Sequence, residues 1–134
     1  MNIFKTLILK IRMSYKGIHV LADYTNIIGD EKELGEFVFN LMIECINKTD
    51  MKIVHKKLCI LNGDTPPGFT SILLLDASHF SCHCYSEEGL LAIDLFTCGK
   101  TNTKEVVNNF SKNLIEKYPN IKCTYLNYHE RFNY

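Results

Sequence analysis

Between Asp76 and Gly99 the chain reads Asp-Ala-Ser-His-Phe-Ser-Cys-His-Cys-Tyr-Ser-Glu-Glu-Gly, then Leu-Leu-Ala-Ile-Asp-Leu-Phe-Thr-Cys-Gly. Ser78 offers a hydroxyl nucleophile, His79 and His83 imidazoles, and Cys98 a thiol that can donate a proton. The two runs read as neighbouring strands joined by a turn at Ser86-Glu87-Glu88-Gly89. A two-residue hairpin turn with Tyr85 opposite Leu90 fixes the antiparallel register. Ser78 then faces Thr97, Cys98 faces Ala77, and diagonal neighbours sit about 7–8 Å apart. Ser78 and Cys98, distant in sequence, are thus predicted to meet. His83 is a different case, because it lies about 16–17 Å beyond Ser78 along an extended strand. A bulge in that strand is the expected device for bringing it closer; otherwise it acts from elsewhere.

Cys82, His83 and Cys84 do not read as a metal site. Their spacing is not that of a C-x-x-C knuckle, and adjacent strand residues point to opposite faces. Cys82 and Cys84 read as small buried residues, as do Cys45, Cys59 and Cys123. His19, His55 and His129 are assigned no role.

The elements that position these residues follow from periodicity and turn chemistry. Ile18–Tyr24 reads as a buried strand. Asp30, with Glu33 three residues on, caps a helix whose apolar stripe is Leu34, Phe37, Val38, Leu41, Met42, Cys45 and Ile46. Met51–Leu61 is a strand, and Asn62–Gly68 is the densest cluster of turn formers. Strands follow at Thr70–Leu75, Phe80–Tyr85 and Leu90–Phe96. Thr101 or Thr103 caps a second helix with Val106, Val107, Phe110, Leu114 and Ile115 on one face, and Ile121–Tyr128 is the last strand. Strands joined by tight turns with two inserted helices imply an α+β two-layer sandwich, a largely antiparallel sheet with both helices on one face.

The chain has 134 residues, which suits one domain, here 16–134 after a loose extension over 1–15. Hydrophobic residues make up 46 % and charged residues 22 %, which excludes a disordered chain. Fifteen basic residues balance fifteen acidic ones, so the electrostatic footprint of a nucleic-acid binder is missing. Lys5, Lys10 and Arg12 interrupt the N-terminal apolar runs, so neither a secretory signal nor a membrane span is expected. Reduced thiols in a cytoplasmic protein are the corresponding expectation.

Ser78-His79, His83, Cys84-Tyr85-Ser86-Glu87 and Asp94-Leu95-Phe96-Thr97-Cys98-Gly99 resemble, at matching spacing, the pyruvoyl-dependent S-adenosylmethionine decarboxylase family. Gly17-Ile18-His19-Val20-Leu21 and the Pro66-Pro67-Gly68 turn extend the resemblance over roughly 16–128. It implies self-processing, in which the Ser78 hydroxyl attacks the Ala77 carbonyl, the chain splits, and residue 78 becomes a pyruvoyl group. That carbonyl would form a Schiff base with the substrate amine and accept the electrons left by carbon dioxide. By the same resemblance His83 is the processing base, Thr70 assists it, Cys98 protonates the product carbon, and Glu87 contacts substrate. Decarboxylated S-adenosylmethionine would serve polyamine synthesis, and short relatives imply a homodimer with sites at the interface.

Four positions depart from the family pattern. Ala77 precedes the scissile bond, Thr70 replaces a serine, and Ser86 replaces a proline. Asp64 stands where an adenine-stacking aromatic is expected, and a nearby aromatic, Phe69 or Tyr24, could instead take over the stacking. A carboxylate at 64 would also suit a cationic amine or guanidinium, which makes a pyruvoyl-dependent ornithine or arginine decarboxylase the alternative enzyme. A non-catalytic regulatory paralogue is the alternative from another class.

Overall fold

The computed structural model describes residues 2–3, 16–98 and 100–133. Apart from Asn2 and Ile3, the extension expected over 1–15 lies outside the described residues, as does Gly99. The elements are β1 (Gly17–Thr25), α1 (Glu31–Asn47), β2 (Ile53–Leu61), β3 (Gly68–Leu75), β4 (His79–Tyr85), β5 (Leu90–Cys98), α2 (Thr103–Lys117) and β6 (Lys122–Arg131). All six strands form one sheet in the order β2-β3-β4-β5-β1-β6, and every pairing is antiparallel. The expected α+β architecture is the observed one. Among the described residues no helix is long and apolar enough to cross a membrane.

Strand alternation separates the two faces of the sheet. Val20, Ala22, Tyr24, Phe69, Leu73, Phe80, Cys82, Cys84, Leu91, Ile93 and Leu95 are buried beneath the helices. They meet Leu34, Val38, Leu41, Met42, Cys45 and Ile46 of α1 and Val106, Val107, Phe110 and Leu114 of α2. Fully burying a side chain of this size stabilises by roughly 1.5–3 kcal/mol, so the core holds both helices on this face. The predicted stripes hold with two changes at their margins. Phe37 is only partly buried, edge-on to Tyr118, and Ile115 is exposed.

The caps are set by side-chain oxygens. Asp30 accepts from the amides of Lys32 and Glu33, as its sequence position predicts. The second helix is capped by Asn102, which accepts from Glu105, rather than by Thr101 or Thr103. The Thr103 hydroxyl is committed elsewhere, to a buried 2.6 Å hydrogen bond with Thr97. The β4–β5 turn differs from the two-residue hairpin. Four residues separate Tyr85 from Leu90, the Glu88 amide donates to the Tyr85 carbonyl, and Gly89 takes the left-handed conformation. Tyr85 still faces Leu90, so the predicted register stands. At Gly68 a Cβ would lie 1.9 Å from the Cys84 carbonyl oxygen, which is why glycine occupies this close approach of β3 to β4.

Cys45, Cys82 and Cys84 are buried as expected, but Cys59 and Cys123 are exposed. They belong to β2 and β6, the two edge strands, where alternation no longer implies a covering layer. Burial pushes the Cys45 thiol up to about 11 and Cys84 up to about 12. Cys82, deepest of the three, is raised as well. In the unfolded chain such thiols ionise near 9, so the unfolded state loses protons first as the pH rises. Their stabilising effect is therefore full below pH 9 and lost from there upward. A urea midpoint that stays flat to about pH 8.5 and declines beyond it, with a shallower decline in Cys84→Ala, is the expected titration; equal slopes in both proteins would contradict this account.

Candidate active site

Two consecutive hairpins build the site. The β3–β4 register, with Leu74 opposite His79, extends to Leu75 and Ser78, where the Leu75 amide donates to the Ser78 carbonyl at 3.0 Å and leaves Asp76 and Ala77 as the turn. The Asp76 carboxylate accepts from the Ala77 amide at 3.0 Å and stiffens this turn. The Ala77–Ser78 bond is therefore the exit of a two-residue turn. Ala77 is exposed, and Ser78 is only 8 % exposed.

The register of the second hairpin, His79 opposite Phe96, extends to put Ser78 beside Thr97 and Cys98. The Ser78 hydroxyl oxygen accepts from the Cys98 amide at 3.2 Å, so the predicted meeting of these residues is observed. Accepting this bond orients the oxygen and leaves its proton free to be withdrawn. Cys98 is fixed by the turn that follows, where the Thr101 amide donates to the Cys98 carbonyl. The Thr97–Thr103 bond pins the same strand end to α2. A cleft of about 380 Å³ opens here, bordered by Ala77, Cys98, Thr101 and Asn102 and by Lys48 at the end of α1.

His83 does not join Ser78. β4 pairs with both neighbours without a register shift, so the expected bulge is not there. Both flanking strands are internal and regular, and they hold β4 straight. His83 is exposed and instead faces Thr70 across β3, with Nδ1 3.1 Å from the threonine hydroxyl. Glu87 in the β4–β5 turn and Asp64 in the β2–β3 loop are exposed at the same end of the sheet. One chain thus carries two half-sets, with Ala77, Ser78 and Cys98 at one end and Thr70, His83, Glu87 and Asp64 towards the other. Phe69 and Tyr24 are 0 % and 1 % exposed beneath the helices, so neither can stack on a ligand.

One cluster escaped the sequence reading. His19 of β1 lies opposite Phe96, which lies opposite His79. Asp94 Oδ1 sits 2.5 Å from His19 Nε2 and 3.3 Å from His79 Nε2. An Arg131 guanidinium N–H donates to His19 Nδ1 at 3.1 Å. The three ligand-type atoms lie within 4.8 Å of one another, the separation at which a metal ion can be shared. However, Arg131 occupies the Nδ1 lone pair, so His19 carries its proton on Nε2 and donates to Asp94. The geometry is that of a proton-donating hydrogen-bond network rather than of a ligand set. His79 and Asp94 were visible beforehand, in the Ser78-His79 pair and the Asp-x-Phe-Thr-Cys-Gly run, whereas His19 was assigned no role and joins them only through the pairing of β1 with β5.

Residues 18–124 match the family model for S-adenosylmethionine decarboxylase. The chain is 31 % identical over 111 residues to the S-adenosylmethionine decarboxylase proenzyme of Clostridium botulinum (strain Langeland), covering 82 % of this chain and 93 % of that one. It is 27 % identical to the proenzyme of Pelotomaculum thermopropionicum, over 79 % and 82 % of the two chains. In fold it is similar to the crystal structure of the adenosylmethionine decarboxylase from Aquifex aeolicus, with a TM-score of 0.63 and 23 % identity over 87 % and 91 % of the chains.

The burial of the thiols gives an order of reactivity. Under native conditions at pH 7.5, N-ethylmaleimide is expected to modify Cys59 and Cys123 first and half-buried Cys98 next, sparing Cys45, Cys82 and Cys84; peptide mapping by mass spectrometry reads the order, and early labelling of Cys82 would refute it.

Proposed function

The chain belongs to the S-adenosylmethionine decarboxylase family, and from that premise we propose the roles of its site residues. Its activity is the decarboxylation of S-adenosylmethionine, a carboxy-lyase reaction that feeds polyamine synthesis, and its cofactor is a pyruvoyl group made by cutting its own chain. The observation that carries the assignment of residues is the 3.2 Å hydrogen bond from the Cys98 backbone amide to the Ser78 hydroxyl at the exit of the two-residue turn.

In self-processing the Ser78 oxygen adds to the Ala77 carbonyl carbon and loses its proton to a base. The Ala77–Ser78 C–N bond then breaks, the nitrogen takes a proton, and an ester joins the two residues. Removal of the Ser78 Cα proton expels the Ala77 carboxylate and leaves a dehydroalanine at 78. Its imine tautomer takes up water and releases ammonia, giving the pyruvoyl group on His79. Only serine combines the hydroxyl nucleophile with the carbon framework this product needs, so the residues present fit the group. Once formed, it supplies an electrophilic carbonyl that binds the substrate amine and accepts electrons from the departing carboxylate. Cys98, on the strand beside it, returns a proton to the substrate carbon in this reading.

The base is His83, supplied by a second copy of the chain. Two observations support this reading. Within one chain His83 and Thr70 are bonded to each other and remote from Ser78. On the sheet face away from the helices, Ile72, Leu74, Tyr85 and Leu90 are 42, 47, 52 and 37 % exposed, an apolar set that a monomer leaves wet. Packing two such faces about a two-fold axis lays the Thr70–His83 end of one chain over the Ser78–Cys98 end of the other. Glu87 and Asp64 travel with His83, and their carboxylates suit the cationic sulfonium and ammonium groups of the substrate. All six cysteines are free thiols, which suits a reducing cytoplasm.

Intact-mass analysis is expected to show fragments 1–77 and 78–134 for the parent protein and an uncut chain for Ser78→Ala; cutting that persists in Ser78→Ala would sink the mechanism. Co-expression of Ser78→Ala with His83→Ala should restore cutting in the His83→Ala chain, since one of the two composite sites is then intact, whereas each variant alone stays whole or nearly so. Purified cut protein should release carbon dioxide from labelled S-adenosylmethionine and none above background from ornithine or arginine. Cys98→Ala is expected to cut but to lose about 100-fold or more in kcat.

A further inference from the structure

The reading above leaves the His19–Asp94–His79 network without a task, and its position in the chain supplies one. His79 is the residue to which the pyruvoyl group is joined once Ala77–Ser78 is cut. Before the cut, the Asp76–Ala77 turn and the Leu75–Ser78 hydrogen bond hold this segment from the β3 side. Afterwards that covalent hold is gone, and the cofactor sits on the first residue of a new chain. Chain ends fray unless they are tied down, and a displacement of about 1 Å at a reacting group can cost on the order of 100-fold in rate.

His79 is held by a stacked ring, an edge-on ring and one hydrogen bond, although its side chain stays 42 % exposed. It stacks on Phe96 with centroids 5.8 Å apart and planes 19° from parallel. His19 packs edge-on to both rings, at 6.1 Å from His79 and 5.9 Å from Phe96. The Arg131 guanidinium lies 5.9 Å from the Phe96 ring centre. Two N–H donors converge on one oxygen of Asp94, and Arg131 fixes the tautomer of His19 that makes this possible. A carboxylate can only accept, so His79 must present Nε2–H to it.

We propose that His79 is a positioning residue: its bond to Asp94, backed by His19 and Arg131, holds the pyruvoyl-bearing terminus in register after self-cleavage. The inference rests on Ser78 being the pyruvoyl precursor. It assigns the network to the mature enzyme rather than to processing, because the intact turn already holds Ser78 before the cut.

Two near-isosteric variants separate the contributions of ring and hydrogen bond. His79→Gln keeps an N–H able to reach Asp94 but has no ring, and His79→Phe keeps the ring over Phe96 but has no donor. Both are expected to cut to completion. In steady-state decarboxylation by the fully cut proteins, His79→Phe should lose about 10- to 100-fold in kcat with KM within about threefold of the parent. His79→Gln should stay within about threefold of the parent kcat, a rescue that loss of packing alone would not give. Asp94→Ala should match His79→Phe, and the double variant should be no worse than either single one. A His79→Phe enzyme as fast as the parent, or equal losses in Phe and Gln, would overturn the proposal. If the parent itself neither cuts nor releases carbon dioxide, the reading of the site fails instead, which the same assays show directly.

Discussion

The β4–β5 register, with Tyr85 against Leu90 and His79 against Phe96, is the constraint on which the site depends. A slip of one residue would turn the buried set Phe80, Cys82, Cys84, Leu91, Ile93 and Leu95 out to the open face. The core therefore enforces the register, and the register delivers the Ser78 hydroxyl to the Cys98 amide. The Ser78–Cys98 contact is a by-product of keeping apolar side chains under two helices.

The same sheet also keeps its remaining reactive groups apart. Because β4 is straight and internal, the five residues from Ser78 to His83 are a rigid spacer of about 16–17 Å. A longer turn or a bulge would have let one chain assemble everything. Instead Ser78 and Cys98 meet at one end of the sheet and Thr70 and His83 pair towards the other, with Ile72, Leu74, Tyr85 and Leu90 exposed on the face away from the helices.

Local signals were legible in the sequence and remote pairings were not. Asp30 announced its helix because capping is settled within one turn, and the hairpin gave the Ser78–Cys98 meeting because its strands adjoin in sequence. Asn102 was passed over in favour of Thr101 and Thr103, since any of the three oxygens can cap and the choice depends on Thr97 claiming the Thr103 hydroxyl. Cys59 and Cys123 were misjudged because alternation reveals which face a residue takes but not whether a strand lies at the edge. His19 could not be connected to Asp94 without the strand order, as the two are 75 positions apart in the chain. The straightness of β4 likewise follows from neighbours on both sides, which no local pattern encodes.

The strand order has a consequence for the life of the molecule. A cut after Ala77 leaves β1, α1, β2 and β3 on one fragment and β4, β5, α2 and β6 on the other. In the sheet, however, β1 lies between β5 and β6, so the first fragment is threaded between two strands of the second. Separating them requires breaking β3 from β4 and also β1 from both its neighbours, which amounts to unfolding. The mature protein is then held by its unfolding barrier. If it does unfold, the return is a second-order encounter of two chains where the precursor needed only one. Self-cleavage thus turns a fold that the precursor can regain alone into one assembled a single time and afterwards only preserved.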